Sequence, residues 1–349
     1  KYQPDLMWFD SWLDEIPEDY QMKFAAYYFN RANALNKDVV ITCKQRDLPL
    51  KVALEDFEKG RAASMLDEPW LTDDTLSYGS WCYTEDLKIK PADEELDVLI
   101  DIVSKNGQLL LNISPKADGT IPQDQQDVLL TIGKWLGAYG EAIYNTRPFR
   151  VYGEGPTQMK KGGHFVGNIQ YTKDDIRYTC KTTGKPYSNT GDTVYAILLG
   201  RPNTSERIKL TSIAKNEGII VTNVSLLGSP TPIIWKQMNT ALFIECPDVP
   251  LDDMAVAFRI ETKNFLSAEK NHLRSIFNHL LGWETDEKGY DKYNEKITDI
   301  HRHGRCAMGE CMGYFKFTID SKTFDTLLTE VKDVASQFNE NTTVSVDTI

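Results

Sequence analysis

The chain has 349 residues, of which 41% are hydrophobic and 26% charged, enough apolar material for a large core and more than one domain. Its formal net charge of -12 argues against nucleic acid as a partner, because phosphate binding needs clustered Lys and Arg. No apolar run reaches the roughly 18 residues of a membrane span, and the chain opens without an initiating Met or a signal peptide, so a preceding piece is expected to be missing or cleaved.

Taken in order, Asp5 to Phe9 is a short apolar run opened by Pro4, the pattern of a buried strand. It ends on Asp10, a carboxylate walled by Trp8, Phe9 and Trp12. Such an acid is costly to desolvate there, and it serves as a helix cap, as a solvated loop acid or as a reactive group. A helix is expected from Glu18 to about Leu35, with Met22, Phe24, Ala25, Tyr28 and Phe29 at helical spacing. Val39 to Thr42 reads as a β-branched strand. A long acid-rich segment follows, holding DFEKGR (Asp56 to Arg61) and DEPWLTD (Asp67 to Asp73), with a short strand expected at Ser80 to Tyr83. Pro91 to Ser104 is amphipathic, with Leu96, Leu99, Ile100 and Val103 on one face, and Gly107 is expected to stop it. Leu109 to Asn112 then reads as a buried strand, and Gln123 to Tyr139 as a second amphipathic helix.

Residues 1–146 thus alternate strand and helix four times, with strands apolar throughout and polar residues at three strand ends: Asp10, the Thr42 to Lys44 region and Asn112. The C-terminal strand ends of a (β/α)8 barrel are where its chemistry sits, and a whole barrel takes about 250 residues. The expected fold is therefore α/β: the last four units of a TIM-like barrel, followed by an antiparallel β-sandwich at 147–263 and a small α+β appendage at 264–349. Sandwich strands are expected at Phe149 to Tyr152, Ile176 to Cys180, Val194 to Leu199, Ile219 to Leu226, Ala241 to Cys246 and Ala255 to Ile260. In the appendage, helices are expected at Glu269 to Leu281 and Ser321 to Phe338, and a strand at Tyr314 to Ile319. The six cysteines lack the paired spacing of a zinc site. In HRHGRCAMGEC, His301 to Cys311, a Cys306–Cys311 disulfide or a plain loop is favoured over a metal site. Sequons at Asn112, Asn203, Asn223 and Asn341 permit a secreted origin.

Three stretches, YQPDLMWFDSW (Tyr2 to Trp12), the ungapped run from Val103 to Leu136 and GEAIYNTRPF (Gly140 to Phe149), resemble glycoside hydrolase family 29, the α-L-fucosidases. The resemblance covers about residues 1–262 and does not reach the appendage. It implies retaining hydrolysis of terminal α-L-fucosides by double displacement, with no cofactor and no metal, on a fucosylated glycan. It also implies a secreted, periplasmic or lysosome-like compartment, and a missing N-terminal half of the barrel as partner. No nucleic acid and no membrane is expected as partner.

The acid in the family motif that WFDSW matches is the nucleophile, so the resemblance gives Asp10 that role. A retaining enzyme pairs the nucleophile with a second carboxyl roughly 5–5.5 Å away, an acid that then turns base. In the family that acid lies on the long loop after the next strand. Glu58 is favoured here, with Glu55, Asp56 and Glu68 as alternatives. Two positions depart from relatives, since Arg61 and Leu71 stand where some carry the acid. Trp8, Trp12, Arg46 and Trp81 are the expected sugar contacts, and Asn112 is expected to orient its loop rather than touch substrate. The alternative to an enzyme is a non-catalytic carbohydrate-binding relative or an inactive fragment.

Overall fold

The structure is a computed structural model that describes residues 2–49, 51–167, 169–182, 191–215, 219–263, 299–307 and 310–318. The chain divides into two compact units, Lys1–Phe265 and Leu266–Ile349.

The first unit opens with a parallel sheet of five neighbouring strands: β1 (Leu6–Phe9), β2 (Val40–Lys44), β3 (Leu54–Asp56), β4 (Trp70–Thr75) and β5 (Gly107–Asn112). Helix α1 (Glu18–Ala34) joins β1 to β2, α2 (Ala92–Ser104) joins β4 to β5, and α3 (Gln123–Tyr139) follows β5. Acids fill the first turn of α1 and of α2, where the helix dipole favours them. The strict strand-helix alternation expected from sequence therefore fails between β2 and β4, which are joined through β3 without a helix. The third expected strand also moves. Ser80 to Tyr83 is loop, and the strand is Trp70–Thr75. Its sequence WLTDDT lies in the acid-rich segment, yet all six residues are buried. Asp73 and Asp74 are tolerated there because Lys44 and Lys90 pair with them, each at 3.1 Å.

Alternation along β1 separates two faces. Met7 and Phe9 join Phe24, Tyr28 and Phe29 of α1 in a core with Ile41 and Cys43 of β2, and the Phe9 ring meets Phe24 edge-on at 5.3 Å. The opposite face carries Leu6, Trp8, Val40 and Leu110, exposed at 41%, 37%, 37% and 46%. Gly107 does not stop α2, which ends at Ser104 with Asn106 in the left-handed region at φ 72°. Gly107 starts β5, and a Cβ there would meet the buried Trp70 ring at 2.5 Å.

Antiparallel strands follow: β6 (Arg147–Glu154), β7 (Ile176–Thr182), β8 (Gly191–Leu198), β9 (Arg207–Leu210), β10 (Ile220–Leu226), β11 (Trp235–Gln237), β12 (Leu242–Glu245) and β13 (Val256–Lys263). They form a five-stranded sheet ordered β10-β13-β8-β7-β6 and a three-stranded sheet ordered β11-β12-β9. All six expected sandwich runs are strands, and β9 and β11 are additions. Both sheets share one core with Leu96 and Ile100 of α2 and Ile132 and Trp135 of α3. The Trp135 indole N–H donates to the Ala255 carbonyl at 2.9 Å. Beside this core, Asp101 of α2 accepts from Lys105 at 2.8 Å and from Arg177 of β7 at 2.7 Å, all three side chains buried.

In the second unit, β14 (Asp299–Ala307) pairs antiparallel with β15 (Glu310–Thr318), and Cys306 stands opposite Cys311. HRHGRCAMGEC, expected to hold a Cys306–Cys311 disulfide or to be a plain loop, contributes most of its residues to these strands. The side chains of this hairpin, and with them the disulfide and metal readings, lie outside the described residues, as do both expected appendage helices.

Candidate active site

Three parallel strand ends deliver charged groups to one place. By alternation, the face that carries Trp8 and Asp10 at β1 carries Thr42 and Lys44 on β2 and Asp56 on β3, since Phe9 pairs with Cys43 and Lys44 with Asp56. Asp73 joins them from β4. Lys44 is 2% exposed, and its Nζ lies 3.2 Å from Asp10, 3.1 Å from Glu58 and 3.1 Å from Asp73. Burial works against the ammonium, but Glu58, Asp73 and Asp10 together hold its pKa above the ordinary lysine value.

Two acids favoured on sequence, Asp10 and Glu58, are thus brought onto one nitrogen. Their bonded oxygens lie no further apart than the sum of two contacts of 3.2 and 3.1 Å, which encompasses the carboxyl spacing of a retaining glycosidase. Asp10 sits one residue past β1 and its side chain is solvent-facing. The Ser11 backbone N–H, 2.9 Å away, holds its pKa below the usual carboxylate range, and Lys44 adds to this against a small desolvation cost. Glu58 lies on the loop after β3, its side chain about one-fifth exposed.

Asp56 and Asp73 form the floor. The Trp8 indole N–H donates to Asp56 Oδ2 at 2.7 Å, and the Asp73 backbone N–H to Asp56 Oδ1 at 3.0 Å. Burial, with Asp73 close by, pushes the Asp56 carboxyl up to about 7 despite the Trp8 bond. Burial raises Asp73 likewise, and its Oδ1 is buried without a hydrogen-bond partner. Burial, with a neighbouring carboxylate, thus favours the protonated form of both inner acids, Asp56 into the neutral range. Asp56 is a buried support rather than an exposed acid.

The remaining candidates separate. Glu55 leaves the other face of β3 and pairs with the exposed Arg46 at 3.0 Å, so neither joins the Lys44 cluster. Glu68 is exposed and precedes β4, where Asn106 of the α2–β5 turn binds the neighbouring Asp67 carbonyl. That is the end of the sheet opposite Asp10, roughly 10 Å down the strand from the Leu71–Asp56 pairing. Leu71 is buried and, paired with Asp56, lies on the same face of the sheet as Lys44 and Asp73. Arg61 is buried and its charge acts on Glu95 and Asp97 of α2. Trp12 is 65% exposed, in the left-handed region at φ 76°. Lys59, next to Glu58, lies over the Trp81 ring at 4.5 Å, which ties Trp81 to the Glu58 loop. The Asn112 amide donates to the Trp81 carbonyl at 2.9 Å and to Thr75 Oγ1 at 3.1 Å, so it does orient that loop.

The loop carrying Glu58 is itself held from two sides. Thr72 of β4 donates to the Phe57 carbonyl and accepts from the Gly60 N–H at 3.2 Å. Above it, His164 and its neighbours from the β6–β7 connection bind the same loop, with the Glu58 N–H donating to His164 Nδ1 at 3.0 Å. Sequence reasoning missed Lys44, Asp73 and His164 as site components. Lys44 was detectable from strand alternation, which aligns it with Asp10. Asp73 was hidden in an acidic segment, and no local signal marks His164.

The alpha-L-fucosidase family model matches residues 1–141, and the model of the alpha-L-fucosidase C-terminal domain matches residues 170–261. The chain is 33% identical over 264 residues to the tissue alpha-L-fucosidase of Rattus norvegicus, across 72% of this chain and 49% of the relative. It is 28% identical over 260 residues to the human enzyme of the same name, across 71% of this chain and 49% of the relative. It therefore spans about half the length of the curated relatives it matches. A solved alpha-L-fucosidase superposes with a TM-score of 0.57 at 23% identity, over 74% of this chain and 52% of that one. The Thermotoga maritima alpha-fucosidase in complex with fucose superposes with a TM-score of 0.53 at 24% identity, over 74% and 52%. The likeness to these structures is one of fold: this chain's parallel sheet and antiparallel sheets fit a partial barrel followed by a sandwich, and the two family models cover both parts in the same order. The chain belongs to the α-L-fucosidase family.

Proposed function

We propose that this chain carries the reacting carboxylates of a retaining α-L-fucosidase, with Asp10 as nucleophile and Glu58 as acid and then base. The observation that carries the proposal is the convergence of Asp10 and Glu58 on Lys44. In the first step ionised Asp10 attacks the anomeric carbon while Glu58 gives its proton to the departing oxygen. One negative charge vanishes at Asp10 as the ester forms, and one appears at Glu58. Both groups contact the same ammonium, so Lys44 is balanced by a carboxylate before and after the step. In the second step Glu58 takes a proton from water, and the charge returns to Asp10. Trp8, braced by its bond to Asp56, supports a reading as the wall beneath the apolar sugar face, with the exposed Trp12 beside it.

The substrate proposed is a terminal α-L-fucoside of a fucosylated glycan. The partner proposed is the N-terminal half of the barrel, which would cover the exposed face of Leu6, Trp8, Val40 and Leu110. Family membership and the exposed sequon residues Asn203 and Asn223 support a secreted, periplasmic or lysosome-like compartment. Among the described residues no helix is long and apolar enough to cross a membrane.

The test uses the full-length protein and an aryl α-L-fucoside. Asp10→Ala is expected to lower kcat by on the order of 10⁴-fold or more, and a 2-fluoro fucoside to leave a covalent adduct on the peptide containing Asp10. Turnover that survives Asp10→Ala, or an adduct on another acid, defeats the assignment.

A further inference from the structure

Glu58 is on a loop, and a general acid must come within about 2.6–3.2 Å of the oxygen it protonates. Something must therefore aim it. The parallel sheet supplies Lys44 at the Glu58 carboxylate, the Leu71 and Asp73 carbonyls that accept from the Phe57 and Lys59 N–H groups, and Thr72 beneath the loop. The Glu58 backbone itself is held by residues a hundred positions further on, in the connection between β6 and β7.

Five contacts join that connection to the loop. The Arg61 and Gly163 backbones exchange two hydrogen bonds at 3.1 and 2.9 Å, the Phe165 N–H donates to the Glu58 carbonyl at 2.8 Å, and the Val166 N–H donates to the Lys59 carbonyl at 3.0 Å. The fifth uses a side chain: the Glu58 N–H donates to His164 Nδ1 at 3.0 Å. The imidazole is steadied by the Phe57 ring at 5.7 Å, and Phe57 in turn meets the buried Trp70 at 5.4 Å. The backbones approach so closely that a Cβ on Gly60 would lie 2.2 Å from the Gly163 carbonyl oxygen.

We infer that His164 is a positioning residue for Glu58, and that the segment from Gly162 to Val166 is a strap by which the antiparallel half of the unit sets the aim of the acid. This rests on the Glu58 assignment above. Both backbone groups of Glu58 are engaged by the strap, its carbonyl by Phe165 and its N–H by His164. An Nδ1 that accepts carries no proton, so the ring hydrogen sits on Nε2. Removing the imidazole leaves the Glu58 N–H without that acceptor and frees the acid to move, while the four backbone bonds of the strap remain.

The experiment compares kcat/KM of the full-length enzyme for two fucosides. One has a nitrophenyl leaving group, which departs with little protonation. The other has a sugar or alkyl leaving group, which needs the acid. His164→Ala is expected to cost about tenfold to a hundredfold on the second, the scale of losing a supporting hydrogen bond to a reacting group, and less than about threefold on the first. His164→Asn places Oδ1 where Nδ1 was and is expected to restore most of the loss. Equal losses on both substrates, no loss on either, or no rescue by Asn overturns the inference. Glu58→Ala run beside it separates the two claims. If Glu58→Ala lacks the leaving-group dependence, the acid assignment falls and takes this inference with it. If Glu58→Ala shows it and His164→Ala does not, only the strap falls.

Discussion

Lys44 carries a single positive charge among Asp10, Glu58, Asp73 and the nearby Asp56, and burial of the inner two favours their protonated forms. Burial raises the folded pKa of Asp56 to about 7, against about 4 for an unfolded Asp. The folded state therefore holds a proton that the unfolded chain releases between those values. By linkage, this group's contribution to stability falls as pH rises from about 4 through about 7, and is level above that. Asp56→Asn mimics the protonated form and removes the dependence. Thermal melting of both proteins from about pH 5 to about pH 8 is expected to show the variant gaining on the parent as pH rises. A constant difference across that range counts against a proton held on Asp56 in the folded state. Asp10, by contrast, is held down by the Ser11 N–H and by Lys44, in keeping with the nucleophilic role proposed for it.

Among elements, α2 does the most joining. One side packs under the parallel sheet and the other enters the core of the antiparallel sheets through Leu96 and Ile100. Its Asp101 is fully buried, and although desolvation opposes ionisation, Lys105 and Arg177 hold its carboxyl below the usual range. The Tyr152 ring lies 4.9 Å from the Lys105 ammonium and 5.6 Å from the Arg177 guanidinium, closing the group from water. Asp101→Ala leaves two buried cations without a counter-charge and is expected to cost about 3–5 kcal/mol in denaturant unfolding. Asp253→Ala, which breaks only the exposed pair with Arg201, is the near-neutral control. Because the strap over Glu58 grows from the same antiparallel half, loosening this joint is expected to disturb Glu58 before Asp10.

For the whole molecule, the decisive feature is the exposed face of the parallel sheet, with Leu6, Trp8, Val40 and Leu110 each more than one-third exposed. Apolar side chains in a row on a sheet face call for a cover. The residues 1–349 produced alone are expected to bind a hydrophobic dye and to lack fucosidase turnover, and adding the N-terminal half of the barrel is expected to abolish the first and restore the second. Full turnover by the isolated chain would show that this face needs no cover. Much of this organisation was legible in the sequence. The apolar runs, their spacing and their turn residues marked β1, β2, β5, all three helices and six antiparallel strands, because burial of one face writes a period into the chain. Asp10 was legible because it ends such a run. Three things were decided only by tertiary structure. Strand β4 was hidden because Asp73 and Asp74 are made burial-compatible by Lys44 and Lys90, distant in sequence. Which of Glu58, Glu55, Asp56 and Glu68 reaches Lys44 from the loop depended on strand alternation and on which end of the sheet each acid lies. The hold of His164 on Glu58 spans more than a hundred residues, and no local pattern encodes a contact between two loops that only the packing of two sheets brings together.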